Sequence, residues 1–245
     1  MKANDIFEHT FLSVRRRLGL FGPHAPHLMW QQRLSCQSAF CRALVDGGYL
    51  SREQMCRAAL YYRLGMSRDG GVIFWQIDEH DRTHDGKIMY YRADCHRDHD
   101  RQPSWVSYRL RRAGMDCGRL AEGHCLFGLH LLQRQSWKTV AVVEAEKTAV
   151  IMSALSPQYL WLATGGMGEL SVARLRPLAG RRVMLFPDTD PTGDTYRRWY
   201  DVAVAASDLF PRPVTVSRLL EQRATAAQKA AKIDIVDLIF KQPTL

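Results

Sequence analysis

Asp188, Asp190 and Gly193 make a D-x-D-x-x-G pattern directly behind the apolar run Val183-Met184-Leu185-Phe186, and Glu144 closes an earlier run, Val140-Ala141-Val142-Val143. Carboxylates are what a hard divalent cation selects: Mg2+ takes oxygen ligands, keeps several waters and shares its remaining positions with substrate phosphates. The chemistry this set points to is phosphoryl transfer, with Mg2+ or Mn2+ held by Glu144, Asp188 and Asp190. In an open parallel sheet the loops beyond the carboxyl ends of the strands share one crevice, and Glu144 and Asp188 both follow strand-like runs. Gly193 has no Cβ, so the chain can turn there with positive φ and open a helix. Each motif alone has a plainer reading. D-x-D followed by Pro191-Thr192-Gly193 also makes an ordinary turn, and an acid after a strand also serves a helix start. The combination carries the inference.

The elements needed to position these residues are legible in the second half of the chain. Short apolar runs predict strands at 139–143, 159–163, 182–186 and 214–218, and the intervening periodicity predicts helices near 146–155, 168–175 and 194–209. Such alternation implies βαβ crossovers and a parallel sheet. The first half reads differently. Helices are expected from Ser38 to Val45 and from Arg52 to Leu64, separated by Gly47-Gly48 and capped by Ser51. A strand over 71–77, a polar turn reaching Asp85-Gly86 and a strand over 87–91 predict an antiparallel pair. Arg92 to Arg101 reads as a charged loop. Trp105 to Arg112 interleaves aromatic and basic residues, which suits base stacking with phosphate contact or a sheet whose aromatics are core and whose arginines are solvated. The expected organisation is an N-terminal arm (1–37) carrying Arg15-Arg16-Arg17, an α+β subdomain (38–135) and a parallel α/β domain (136–245), with the boundary near Leu132 to Trp137. The segment from Glu221 to Ala231 reads as a short helix or a flexible insertion.

Composition bounds the function classes. The chain has 245 residues, 46% hydrophobic and 24% charged, which is globular rather than disordered. Its formal charge of +9, most of it ahead of residue 136, favours a polyanionic partner, because lysine and arginine neutralise phosphates and release counterions. No run approaches a bilayer span and the N-terminus has no apolar signal core, so a cytoplasmic protein without a membrane partner is expected. Six cysteines without a C-x-x-C pair lack structural-zinc spacing and are expected as reduced, packed thiols.

With these motifs placed, the second half resembles a toprim domain, the catalytic module shared by bacterial-type primases, topoisomerases and some nucleases. Glu144 matches the glutamate after that family's first strand, and Asp188-Thr189-Asp190-Pro191-Thr192-Gly193 matches its D-x-D-x-x-G. Thr164-Gly165-Gly166 resembles its glycine turn, and Lys232-Ile233-Asp234-Ile235-Val236-Asp237 the late acidic segment of primase versions. Upstream, 71–78, 86–92 and Cys125-Leu126-Phe127-Gly128-Leu129 follow the order of elements in the catalytic core of bacterial replicative primases. The whole run also resembles a toprim-like family carried on mobile elements. Ala145-Glu146-Lys147 departs from the primase pattern, which places glycine directly after the glutamate. The zinc ribbon and helicase-binding domain of the replicative enzymes are not expected in this chain, and no strand-passage domain of a topoisomerase has room.

The resemblance implies an α/β fold, a toprim-type parallel sheet flanked by helices, preceded by a smaller α+β primase-like subdomain. It implies a primase-like nucleotidyltransferase using nucleoside triphosphates on single-stranded DNA, with recruitment by a helicase or another replication protein in trans. Glu144, Asp188 and Asp190 would be the catalytic and metal-binding acids, with Asp234 or Asp237 adding metal contacts. Lys87, Arg92 and Lys147 are the expected phosphate contacts, with Gly165 and Gly193 shaping the loops. Two alternatives stay open: a metal-dependent nuclease using the same acids, and a non-catalytic nucleic-acid-binding accessory protein.

Overall fold

The computed structural model describes residues 34–117 and 120–240. The expected arm, with Arg15-Arg16-Arg17, lies outside them apart from residues 34–37. Contacts divide the chain into two compact units between His124 and Cys125.

The N-terminal unit begins with helices α1 (Ala39–Asp46) and α2 (Arg52–Tyr61). Both starts are set by sequence: Ser38 accepts from the Cys41 N–H, and Ser51 and Gln54 close a reciprocal capping box. An antiparallel sheet follows, in the order β1 (Gly65–Met66), β2 (Val72–Ile77), β3 (Thr83–Met89), β4 (Ser104–Trp105), and helix α3 (Val106–Arg112) continues from β4. Every residue of β2 is buried. Ile73, Trp75 and Ile77 form a core with Ile88, Tyr90 and Val106.

One expected turn is not where the sequence suggested. Asp85 and Gly86 lie inside β3, opposite Gln76 and Trp75. The chain reverses earlier, where the Asp78 carboxylate accepts the N–H groups of His80 and Arg82, both at 2.9 Å. Asp85 is needed for another reason: it accepts from the Ser107 N–H (3.1 Å) and from the Ser107 hydroxyl, fixing the start of α3 from the neighbouring strand. Gly86 is needed because a Cβ there would stand 2.7 Å from the Trp75 ring. A turn-like dipeptide therefore serves a helix cap and an aromatic packing contact.

The C-terminal unit holds β5 (Thr139–Val143), α4 (Glu146–Leu155), β6 (Tyr159–Ala163), α5 (Val172–Leu175), β7 (Val183–Leu185), α6 (Asp194–Ala205), β8 (Thr215–Val216), α7 (Leu219–Arg223), α8 (Ala226–Ala230) and α9 (Ile235–Phe240). The sheet has the order β6-β5-β7-β8 and every pairing is parallel. β5 and β6 are buried apart from their first residues, as near-continuous apolar strands covered on both faces should be. Phe127 forms an antiparallel bridge to Ala163, with main-chain bonds of 2.9 and 3.1 Å, which attaches the Leu126-Phe127-Gly128 segment to this unit ahead of the compositional change at Lys138. Gly128, at φ +84°, turns the chain there. The helix expected over 194–209 stops at Ala205, and Ser207–Leu209 tighten into a 3-10 turn. None of the six cysteines is bridged, and Cys36, Cys41, Cys56 and Cys95 are buried. Among the described residues no helix is long and apolar enough to cross a membrane.

Candidate active site

The strand order reverses at β5. β6 lies on one side of it and β7 on the other, so the carboxyl ends of β5 and β7 flank a topological switch point, where open α/β sheets leave a crevice for ligands. Glu144 follows β5 directly, and Asp188 comes three residues after β7.

The main chain holds both positions. The Glu144 carbonyl accepts from the Gly165 N–H (2.9 Å) and the Thr164 hydroxyl (3.3 Å). Gly165 sits at φ +91°, so the loop after β6 needs a residue without a Cβ to reach it. Beyond β7, the Phe186 N–H continues the parallel pairing to the Val142 carbonyl (2.8 Å). Thr189, the middle residue of D-x-D, donates its N–H to the Ile233 carbonyl (3.1 Å) and its hydroxyl to Glu221 (3.1 Å), which is itself bonded by Lys229 at 2.7 Å. The segment from Glu221 to Ala231 is thus two short helices, and Glu221 braces the acidic loop.

The late acidic segment reaches the same place. Asp234 and Asp237 exchange bonds at the start of α9, the Asp237 N–H to Asp234 (2.8 Å) and the Asp234 N–H to Asp237 (3.4 Å). Thr148, fully buried in α4, donates its hydroxyl to the second carboxylate oxygen of Asp234. Asp188, half-buried as a residue, has its carboxyl pushed well above the ordinary carboxylate range. Desolvation is the main cause, the charges of Asp234, Glu144 and Asp237 add to it, and Lys147 opposes them. Glu144, Asp188, Asp234, Asp237 and Lys147 therefore share one electrostatic neighbourhood, with Lys147 in the first turn of α4.

Asp190 is placed differently. One carboxylate oxygen accepts from the Thr192 N–H (2.9 Å), the Thr192 hydroxyl (2.8 Å) and the Asp194 N–H (3.2 Å), and the other from the Thr195 N–H (2.7 Å). Desolvation would raise this carboxyl, but the bonds from Thr195 and Thr192 outweigh it and hold it far below the usual range. Asp190 thus closes the start of α6, which Gly193 enters at φ +71°. Lys87 and Arg92 belong to the N-terminal unit. Lys87 lies in β3 between Phe74 and Trp105 in register, and Arg92 is paired with Asp100 (3.1 Å) and Asp98 (3.6 Å).

The donor chemistry of the acid cluster suits a hard divalent cation: all the donors are carboxylate oxygens, and their mutual repulsion is what a cation would offset. Among the described residues no group of three His, Cys, Asp or Glu side chains is close enough to hold an ion as placed. The acids surround Asp188 at electrostatic range, so holding an ion requires side-chain rotation. Thr148, Thr189 and Glu221 were not singled out from the sequence. The available signal was the place of Thr148, beside Lys147 in the first turn of the helix that follows Glu144.

A parallel α/β unit with acids gathered at its switch point is the class that fold and site define. The sequence matches the family described as Domain of unknown function (DUF6371) over residues 38–189, and the chain belongs to that family. No curated protein matches it. Among solved structures it is similar to the primase fragment of the bacteriophage T7 primase-helicase protein, at 16% identity and a TM-score of 0.43 over 83% of this chain and 74% of that one. It is also similar to the zinc-binding and RNA polymerase domains of the Aquifex aeolicus primase, at 9% identity and a TM-score of 0.44, covering 89% of this chain and 64% of that one.

Proposed function

We propose that the protein is a cytoplasmic, primase-like nucleotidyltransferase with a toprim-type site, using nucleoside triphosphates on single-stranded DNA. The observation that carries this reading is the convergence of Glu144, Asp234 and Asp237 on the desolvated Asp188 at the switch point of the parallel sheet. The toprim resemblance of Glu144 and the D-x-D-x-x-G motif supports it.

Glu144, Asp188 and Asp190 would hold Mg2+ or Mn2+, with Asp234 or Asp237 adding contacts, and the ion when bound would supply Lewis-acid stabilisation of the phosphoryl oxygens and of the attacking hydroxyl. Lys147 faces the same neighbourhood and would contact the triphosphate as a point charge. Thr148 holds Asp234, and Thr189 with Glu221 holds the loop that carries Asp188. Four bonds hold the Asp190 carboxylate at the start of α6, where it would shape the loop and complete the proposed metal-binding set with Glu144 and Asp188. Lys87 and Arg92 remain proposed phosphate contacts, Arg92 by exchanging Asp98 and Asp100 for a phosphate. Recruitment by a helicase or other replication protein in trans is part of this reading.

The test is incubation of purified protein with single-stranded DNA, labelled nucleotides and Mg2+ or Mn2+, with Glu144→Gln and Asp188→Asn in parallel. Short nucleotide-dependent products that fall to background in both variants are expected. Loss of the DNA without nucleotides would replace synthesis with nuclease chemistry, and an undiminished rate in either variant would remove the site assignment.

A further inference from the structure

Helix α3 of the N-terminal unit turns one face to its core and the other outward. Val106 is buried and Leu110 packs against the Trp75–Ile77 core, so these two positions, one turn apart, fix the inward face. The outward stripe is Tyr108, Arg111 and Arg112, at i, i+3 and i+4, all exposed. Tyr108 keeps 55% of its surface, and the Arg112 guanidinium lies 5.8 Å from the centre of its ring. Met115, 46% exposed, follows the helix end.

The arginines of this region divide into two sets. Arg101 and Arg109 are committed to Asp69, at 3.2 and 3.0 Å. Arg111 and Arg112 have no acidic partner among the described residues. A short helix thus presents two uncompensated guanidinium groups beside an aromatic ring, on a chain whose formal charge is +9. That combination complements a strand that offers phosphates at regular spacing and bases with exposed π faces.

We propose that Tyr108, Arg111 and Arg112 form a docking surface for single-stranded DNA, the arginines meeting phosphates and Tyr108 stacking on a base. The proposal rests on the catalytic reading above only in taking this strand to be the template. Its physical basis is the charge and the ring.

The test measures fluorescence anisotropy of a labelled single-stranded oligothymidylate with the full chain, over a range of NaCl and without nucleotide or divalent ion. Replacing both Arg111 and Arg112 by Ala is expected to weaken binding and to lower the slope of log affinity against log salt by about 1.4, as two lost phosphate contacts require. Tyr108→Ala is expected to cost roughly fivefold or more in affinity with the slope unchanged, and Tyr108→Phe to restore it, since stacking needs the ring and not the hydroxyl. Unchanged affinity and slope in the double variant overturn the proposal. So does a silent Tyr108→Ala together with equal competition by polyphosphate, which would make the patch a general anion surface. Binding that keeps these signatures while synthesis is absent would sink the catalytic reading alone; synthesis that persists with the signatures missing would sink this surface alone.

Discussion

In the N-terminal unit Asp69 is ringed by donors. Ser67 and Tyr90 give it hydroxyl bonds of 2.6 and 2.7 Å, Arg109 reaches both of its oxygens, and Arg101 adds a further contact. In the C-terminal unit Asp188 meets Asp234, Glu144 and Asp237, with Lys147 as the opposing charge. Desolvation pushes both carboxyls upward. At Asp69 the bonds from Ser67, Tyr90 and Arg109 overcome it and the carboxyl ends far below its ordinary range, whereas at Asp188 the neighbouring acids reinforce it. An acid used to tie a fold together is given donors, and an acid kept for a ligand is left with a deficit that the ligand can fill.

The sharpest way to break this contrast is through Asp188 itself. A raised folded-state pKa means the native protein retains a proton that the unfolded chain releases, so stability falls as pH rises above the ordinary aspartate value of about 3.9. Asp188→Asn is therefore expected to melt higher than the unaltered protein at neutral pH in EDTA, with the advantage shrinking as the pH is lowered toward that value. It is also expected to lose most of the stabilisation by Mg2+ or Mn2+. Melting curves across pH, with and without the ion, check both. A variant that melts lower in EDTA at neutral pH would remove the deficit at this position.

A smaller effect is expected at Thr148. Thr148→Val keeps the shape and removes the bond to Asp234, which should raise the Mg2+ concentration needed for half-maximal activity by about 10–100-fold. Thr148→Ser should recover most of the loss. A metal titration of activity tells this from a packing defect, which would lower the maximal rate or the melting temperature without shifting the midpoint.

The smallest effect belongs to Asp69. Its folded-state pKa is lowered, so its contribution is present above the ordinary aspartate value and is lost as pH falls through the folded one. Asp69→Asn should cost about 1 kcal/mol near neutrality once solvent screening of this partly exposed group is allowed for. The variant should leave the response to divalent ions untouched, in contrast to Asp188→Asn. Denaturant midpoints at several pH values, each with and without Mg2+, measure it.

How much of this was legible depended on distance along the chain. β5, β6 and α4 fall on the residues the sequence indicated, 139–143, 159–163 and 146–155, because local apolar runs and helical periodicity dictate them. Glu144 and Asp188 were recognisable for the same reason, being acids that follow strands. Asp85-Gly86 misled because its local chemistry is that of a turn, while its reasons are the start of α3 and the ring of Trp75. The Thr148–Asp234 bond joins residues 86 apart, and no periodicity announces such a contact. Asp190 shows the local case: the pattern D-x-D-x-x-G places it where the N–H groups at positions 192 and 195 reach its carboxylate.

That long-range bond also bears on the order in which the molecule can be assembled. Glu144 and the strand that carries it are made early in the C-terminal unit, whereas Asp234 and Asp237 emerge almost a hundred residues later, and closing so large a loop is slow compared with forming the helices and neighbouring strands. During synthesis the parallel strands can already be paired while Asp234 and Asp237 are still missing. On the proposed metal-binding reading, a growing chain therefore lacks its full set of acids until the segment containing Asp234 docks on Thr148.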